Sequence, residues 1–317
     1  MDDVEKYSEP GLQPETAGPR SAPDFAIAEQ PSYARTLFFG PDGLRAGWGF
    51  AAYVITFYLL RRLSGDVLAL FDLGLLRAIA RDEAVALLTA LIPALILMRI
   101  ERRRWGAYGL PLGQAFGKFF WIGAVWGFAG ITLLLTLLYG LHVFNFGSFV
   151  LHGFRIVKFA AFWAGVFLLV GLYEEFLLRG YTQFALTRGI GFWPAAAVLS
   201  AEFGWLHRSN AGEEWPGLLA AALIGFFFCL TLRRTGTLWF AVGFHAAWDW
   251  GETFFYAVPD SGGVYPGHLL SSSLHGNPWL TGGSVGPEGS VICFAVIGIL
   301  WLGFHLSYRK ANYAITR

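Results

Sequence analysis

The chain has 317 residues, of which 55% are hydrophobic and only 14% are charged. This composition excludes an ordinary soluble domain of that length and predicts an integral membrane protein. The net charge of +1 gives no indication of nucleic-acid binding. The two cysteines, Cys229 and Cys293, lie in separate apolar runs and make neither a disulfide framework nor a metal motif.

The chain begins with a stretch rich in Pro, Glu, Ala, Ser and Gly that extends to about Arg35. It contains no apolar run that could serve as a signal peptide, so we predict a disordered tail that is not cleaved. The predicted domain organisation is a cytoplasmic tail over residues 1–40 and a membrane domain over residues 41–317.

Apolar runs long enough to span a bilayer follow one another along the membrane domain. They cover residues 46–60, 84–98, 119–139, 157–186, 192–206, 216–232, 237–255 and 291–306. We therefore predict an all-α fold, a polytopic membrane bundle of about eight transmembrane helices. The catalytic core is expected over about residues 157–256, in helices four to seven.

The distribution of Lys and Arg predicts the orientation of this bundle. These residues are more frequent in the tail, in the second, fourth and sixth connections and at the C-terminus than in the other connections. We therefore expect a multi-pass protein of the cell membrane with both termini in the cytoplasm. The first connection departs from this pattern, and its residues 65–81 predict an amphipathic helix lying in the membrane interface.

Two adjacent carboxylates, Glu174 and Glu175, lie inside the fourth apolar run. Ionisable groups at membrane depth cost at least a few kcal/mol each and are by default a functional-site hypothesis. Glu175 has Arg179 at i+4, a spacing that allows the two charges to neutralise each other. We expect Glu175 to orient the site or contact the substrate, with a purely structural clamp as the alternative. Glu174 has no partner on its own helix face.

Three further ionisable residues lie at a similar predicted depth on two other helices. At 1.5 Å per residue, Glu174 and His207 are both roughly 20 Å from the predicted cytoplasmic connection. His245 and Asp249 form an i, i+4 pair on the seventh helix, roughly 13 to 19 Å deep. We therefore predict that Glu174 approaches the two imidazoles within about one water's width.

These side chains have the chemistry that peptide hydrolysis requires, a base that activates water and donors that stabilise the oxyanion. Glu174 is the candidate base. His207 is expected to share the water and protonate the leaving amine, and His245 is expected to donate to the oxyanion. Asp249, if ionised, cannot donate, so it is either held protonated or accepts a hydrogen bond from an imidazole.

Three short motifs follow one another on successive apolar helices. They are Glu174-Glu175-xxx-Arg179, Phe203-xxx-His207 and His245-xxx-Asp249. In this order they resemble the CPBP family, the intramembrane CAAX-protease and bacteriocin-processing enzymes also called the Abi family. The resemblance covers about residues 159–250. It implies an eight-helix endopeptidase in which Glu174 and His207 activate water and the third motif helps to hold the oxyanion.

Two positions depart from the family pattern. Asp249 stands where Asn is more usual, and Glu202 is an additional acid beside Phe203. The partners that the resemblance implies are the lipid bilayer and a membrane-associated or lipidated protein or peptide, with a prenylated tail as one candidate. No cofactor is expected.

Two alternatives stay open. In the first, Glu174, His207 and His245 bind zinc with a fourth position open for water, a ligand set that zinc accepts, although no HExxH motif is present. In the second, the protein is a non-catalytic transporter or scaffold whose buried charges form a proton or substrate path. No internal repeat is visible, which disfavours transport.

The remaining polar residues are expected to be peripheral. Residues 259–289, rich in Gly, Ser and Pro, predict a flexible extracytoplasmic connection in which His268 and His275 carry no catalysis. Glu252 is expected to solvate the mouth of the pocket. No role is assigned to Glu202.

Overall fold

The computed structural model describes residues 33–40 and 43–313 of the chain. Residues 1–32 of the predicted tail lie outside the described residues. Residues 33–40 contain a short helix, α1 (Tyr33–Phe38), and strand β1 (Phe39–Gly40). Strand β1 pairs antiparallel with β2 (Gly43–Leu44).

The membrane domain is built from helices, each of the predicted apolar runs being helical over most of its length. The helices are α2 (Ala46–Leu68), α3 (Leu75–Ile100), α4 (Lys118–Gly140), α5 (Phe154–Arg179), α6 (Tyr181–Ile190), α7 (Phe192–Leu206), α8 (Trp215–Thr235), α9 (Trp239–Trp250), α10 (Pro278–Thr281) and α11 (Val291–Ser307). The predicted all-α fold is confirmed.

Several of these segments have the length and apolar composition that crossing a bilayer requires. They are Leu75–Ile100, Lys118–Gly140, Phe154–Ile190 and Trp215–Thr235, with Val291–Ser307 as a shorter apolar helix. The chain is thus a polytopic helical bundle, as predicted.

The prediction of one continuous helix over residues 157–186 is wrong, because this segment forms two helices. Gly180 separates α5 from α6 with φ −84° and ψ −112°, a conformation outside the helical region. Glycine is required at this position, since an added Cβ would collide with the carbonyl oxygen of Phe176. Glu174 therefore lies close to the end of its own helix, and its predicted depth assumed a continuous helix that does not exist.

The predicted interfacial helix over residues 65–81 is also wrong. Helix α2 continues to Leu68, a turn follows, and α3 begins at Leu75. Arg81 holds this turn, because its Nη1 donates to the carbonyl oxygens of Leu68 at 3.4 Å and Phe71 at 3.1 Å. Arg81 thus binds backbone carbonyls instead of defining one face of a separate helix.

Helices α4 and α9 pack closely because glycines line their contact. A Cβ added at Gly123 or Gly127 of α4 would collide with a carbonyl oxygen of α9, that of Phe240 or Phe244. Small residues four positions apart let membrane helices approach in this way. Helix α9 is consequently held against α4, and it is followed by one π-helical turn, Gly251–Tyr256.

Residues 259–289 are not a flexible connection, contrary to the prediction. They include strand β4 (Ser273–Leu274), which pairs antiparallel with β3 (Phe144–Asn145), and the short helix α10. Side chains also fix the segment, since Ser272 Oγ donates to the carbonyl oxygen of Phe146 at 2.9 Å. The segment is therefore attached to the loop that follows α4.

We expect Gly127→Ala to lower the free energy of unfolding by about 1–3 kcal/mol, because the new methyl group must force α4 and α9 apart. Gly298→Ala is the matched control, since nothing lies within 4 Å of a Cβ added there. Thermal unfolding in detergent provides the measurement. Equal melting temperatures for the two variants would contradict the close α4–α9 contact.

Candidate active site

A buried ion pair on one helix lies at the base of the site. Arg179 Nη1 donates to Glu175 Oε1 at 3.2 Å, and both side chains are fully buried. The two residues are one turn apart on α5, which confirms the predicted i, i+4 pair. The guanidinium carbon of Arg179 lies 4.4 Å from the ring centroid of Phe203 and 5.8 Å from that of Phe228. Aromatic faces thus replace water around this cation.

Space for Arg179 depends on a glycine of α8. A Cβ added at Gly225 would collide with Nη2 of Arg179 and lie 3.0 Å from Cδ1 of Phe203. Nη2 and Nε of Arg179 have no hydrogen-bond partner within the described residues. The guanidinium is therefore stabilised mainly by Glu175 and by the aromatic rings that enclose it.

His245 of α9 connects this ion pair to the other carboxylates. Its Nδ1 lies 2.9 Å from Glu175 Oε1, within hydrogen-bond distance. Its Nε2 lies 3.6 Å from Glu174 Oε2 and 3.6 Å from Asp249 Oδ2. One imidazole thus contacts carboxylates on both of its ring nitrogens, and the predicted approach of Glu174 to His245 agrees with this geometry.

The protonation of His245 follows from its partners. An ionised carboxylate only accepts hydrogen bonds, so Nδ1 must carry a proton to donate to Glu175. The ring can donate from Nε2 as well only when it is an imidazolium. The carboxylates of Glu174 and Asp249 at 3.6 Å are suitable counter-charges for that form.

His207 lies just beyond the end of α7 and begins a single 3₁₀ turn, His207–Ser209. Its Nδ1 is 2.8 Å from the carbonyl oxygen of Phe203, which can only accept. Nδ1 therefore carries a proton, and Nε2 is the acceptor in the neutral ring. No hydrogen bond or ion pair joins His207 to Glu174 in the described structure, so they could share only an intervening water.

Two neighbouring cavities, of about 290 Å³ and about 240 Å³, meet at these residues. Glu174, Phe203 and His207 line both of them, whereas His245 and Asp249 line the larger one. The side chain of Glu174 is 28% exposed, compared with 0% for Glu175. Of the two adjacent glutamates, only Glu174 is therefore accessible to a molecule in the cavities.

Several polar residues that the sequence reasoning missed also line the larger cavity. They are Glu83, Asn210, Glu213, Asp260, Ser261, Tyr265 and Glu288. Burial raises the pKa of Glu213, and burial together with the charges of Asp249 and Glu288 raises the pKa of Asp260 well above its usual range. Glu83 adjoins a predicted apolar run, which is a weak sequence indication of a buried functional acid. The acids in loops carry no such indication, because only folding brings them to the cavity.

The other polar residues considered in the sequence analysis lie outside the two cavities. Glu202 is exposed on α7, away from the cavities. Glu252 is fully buried, so it does not solvate the mouth of the pocket as expected. His268 and His275 do not line either cavity.

The three candidate zinc ligands do not form one cluster among the described residues, although Glu174 and His245 approach each other. Across residues 33–40 and 43–313, one group of three His, Cys, Asp or Glu has ligand atoms all within 4.8 Å of one another, and it is Asp249, Glu252 and Asp260. Glu174, His207 and His245 form no such group. Nδ1 of His245 is engaged by Glu175, so Nε2 is the ring atom that faces Glu174.

These elements define a polytopic helical membrane protein with a buried site of carboxylates and imidazoles on α5, α7 and α9. Residues 156–251 match the family model described as "Type II CAAX prenyl endopeptidase Rce1-like". This segment contains all three motifs, and the match confirms the resemblance drawn from them. No match to the chain was found among curated proteins or among solved structures. The family supports protease activity of the CAAX type in general.

We expect Glu175→Gln to lower the free energy of unfolding by about 3–5 kcal/mol, because it leaves Arg179 without its counter-charge in a fully buried position. Glu202→Gln, the same change at an exposed position of α7, should be nearly neutral. Melting temperatures of the two purified variants test this. A Glu175→Gln protein as stable as Glu202→Gln would disprove the role given to the ion pair.

Proposed function

We propose that the chain is an intramembrane endopeptidase that hydrolyses a peptide bond of a membrane-associated, lipidated peptide, with Glu174 as general base. The observation that carries this proposal is the position of Glu174. It lines both cavities and its Oε2 lies 3.6 Å from Nε2 of His245. A water bound between these groups would have a base on one side and a potential donor on the other.

The two glutamates have separate roles in this mechanism. Glu175 Oε1 is occupied by Arg179 and His245, and its side chain is inaccessible. It acts as a positioning residue that fixes the orientation and the Nδ1 proton of His245. Glu174 has neither constraint, so it is the carboxylate that can take a proton from water.

His245 is the proposed oxyanion donor through Nε2. Donors fixed before the reaction stabilise the charge that develops on the carbonyl oxygen. Glu175 holds the ring from behind, and Asp249 supplies a counter-charge beside Nε2 at 3.6 Å. Asp249 thus supports the imidazolium through charge, a role that Asn, more usual at this position, would not supply. His207 shares the water through Nε2 or protonates the leaving amine.

Apolar walls support a lipidated substrate. The larger cavity combines the ionisable groups with Phe167, Val170, Ile224, Phe228, Phe244 and Ile297. Such a surface suits a prenyl chain or an apolar side chain, while the carboxylates and imidazoles lie beside the scissile bond. A prenylated C-terminal peptide is consequently the substrate class that we propose, in accordance with the name of the matching family.

This mechanism places no metal in the reaction. Within the described residues His207 does not join Glu174 and His245 in one cluster of ligand atoms, which supports the glutamate-based route over the zinc-based one. The proposed topology is a multi-pass protein of the cell membrane with both termini on the cytoplasmic side, based on the distribution of Lys and Arg.

We expect Glu174→Gln to reduce turnover by about 10²–10⁴, because the amide keeps the size of the side chain but cannot accept the proton from water. His245→Ala should reduce turnover by about 10²–10³ through the loss of an oxyanion donor. The measurement is cleavage of a prenylated C-terminal peptide per folded molecule in nanodiscs, with the unprenylated peptide of the same sequence as the comparison substrate.

Glu202→Gln is the control for these variants because it makes the same chemical change outside the cavities. Its turnover should equal that of the unmodified protein. Near-normal activity of Glu174→Gln would refute the general-base assignment. Equal cleavage of the prenylated and unprenylated peptides would refute the proposed substrate class while leaving the peptidase mechanism in place.

A further inference from the structure

Three carboxylates converge where α9 ends, beside the proposed catalytic groups. Asp249 belongs to the last turn of α9, Glu252 to the π-helical turn that follows, and Asp260 to the segment after it. Ligand oxygens of the three residues all lie within 4.8 Å of one another. Oxygens bound to one calcium ion at 2.3–2.6 Å are at most about 5 Å apart, so this spacing is compatible with a shared cation.

Glu252 provides an independent indication of a missing partner. Its side chain is fully buried, and neither carboxylate oxygen has a hydrogen-bond partner within the described residues. An ionised carboxylate buried without a partner is strongly unfavourable. One carboxylate oxygen of Glu252 instead lies within 4.8 Å of an oxygen of Asp249 and of Asp260, where like charges would repel each other.

The surroundings of the cluster are rich in oxygen, and among the described residues the ion pair that reaches it is the one between His245 and Asp249. Thr253 Oγ1 donates to Asp260 Oδ2 at 3.2 Å, and Ser261 Oγ donates to Glu288 Oε2 at 3.0 Å. Glu288 lines the same cavity as Asp249 and Asp260. Within residues 33–40 and 43–313, no ion pair joins an arginine or a lysine to any of these acids.

We propose that Asp249, Glu252 and Asp260 bind a hard divalent cation, with calcium preferred over magnesium. Carboxylate oxygens are the ligands of hard cations, whereas zinc favours nitrogen and sulfur. Calcium accepts several carboxylates in flexible geometry, whereas magnesium usually keeps several waters and takes only one or two carboxylates. Three converging carboxylates, with Glu288 nearby, therefore favour calcium.

The cation would link two parts of the chain that carry the site. Asp249 and Glu252 belong to α9 and its π-helical extension, while Asp260 begins the segment that forms one wall of the larger cavity. Binding would hold this wall against the helix that carries His245. The site goes beyond the proposed peptidase function and does not require it, and it shares no residue with the zinc alternative.

The test uses the full chain in detergent after treatment with EDTA, with calcium, magnesium or zinc added separately. Calcium should raise the melting temperature by about 5 °C or more at saturation, and magnesium by less. Isothermal titration should give one calcium per chain. Neither measurement depends on peptidase activity.

Glu252→Gln and Asp260→Asn should each remove the calcium response, whereas Glu202→Gln should keep it. Without calcium, Glu252→Gln should melt no lower than the unmodified protein, because it removes an unpartnered buried charge. The proposal is overturned if calcium neither binds stoichiometrically nor raises the melting temperature. It is also overturned if both variants keep the response, or if zinc alone stabilises the protein and His245→Ala abolishes that effect.

Discussion

The site depends on the hydrogen-bonded chain from Arg179 through Glu175 to His245. Glu175 joins the buried arginine on α5 to the imidazole on α9 through hydrogen bonds to both. A buried carboxylate with two cationic or donating partners is stable where an isolated one is not. Because Glu175 is held in this way, the side chain next to it on the same helix can be left free to face the cavities.

The packing around this chain of contacts follows from the residues that the helices bring together. Phe203 and Phe228 enclose Arg179, and Gly225 leaves the space that the guanidinium occupies. Glycines between α4 and α9 hold the backbone of α9, and hence His245, in place. In this polar site inside an apolar bundle, small residues thus leave space for the charged side chains, and aromatic residues enclose those side chains.

The buried carboxylates in the structure differ in whether protein partners stabilise them. Glu175 has protein partners, Arg179 and His245. Glu252 has no hydrogen-bond partner within the described residues. Asp249 belongs to both environments, since it lies 3.6 Å from His245 Nε2 and within the cluster that includes Glu252. The stability of the π-helical turn and the geometry of the peptidase site are therefore expected to be coupled through Asp249.

The sequence by itself determined the apolar helices, the three motifs and the Glu175–Arg179 pair, because each depends on periodicity or composition within a short segment. The break at Gly180, the partner of His245 Nδ1 and the acids around Asp260 were decided only by the tertiary structure. A helical period fixes which side chains share one face, but it does not fix how neighbouring helices are rotated or where a connecting segment returns. Residues 259–289 illustrate this limit, since their composition predicted flexibility while their contacts place Asp260 and Glu288 on the cavity wall.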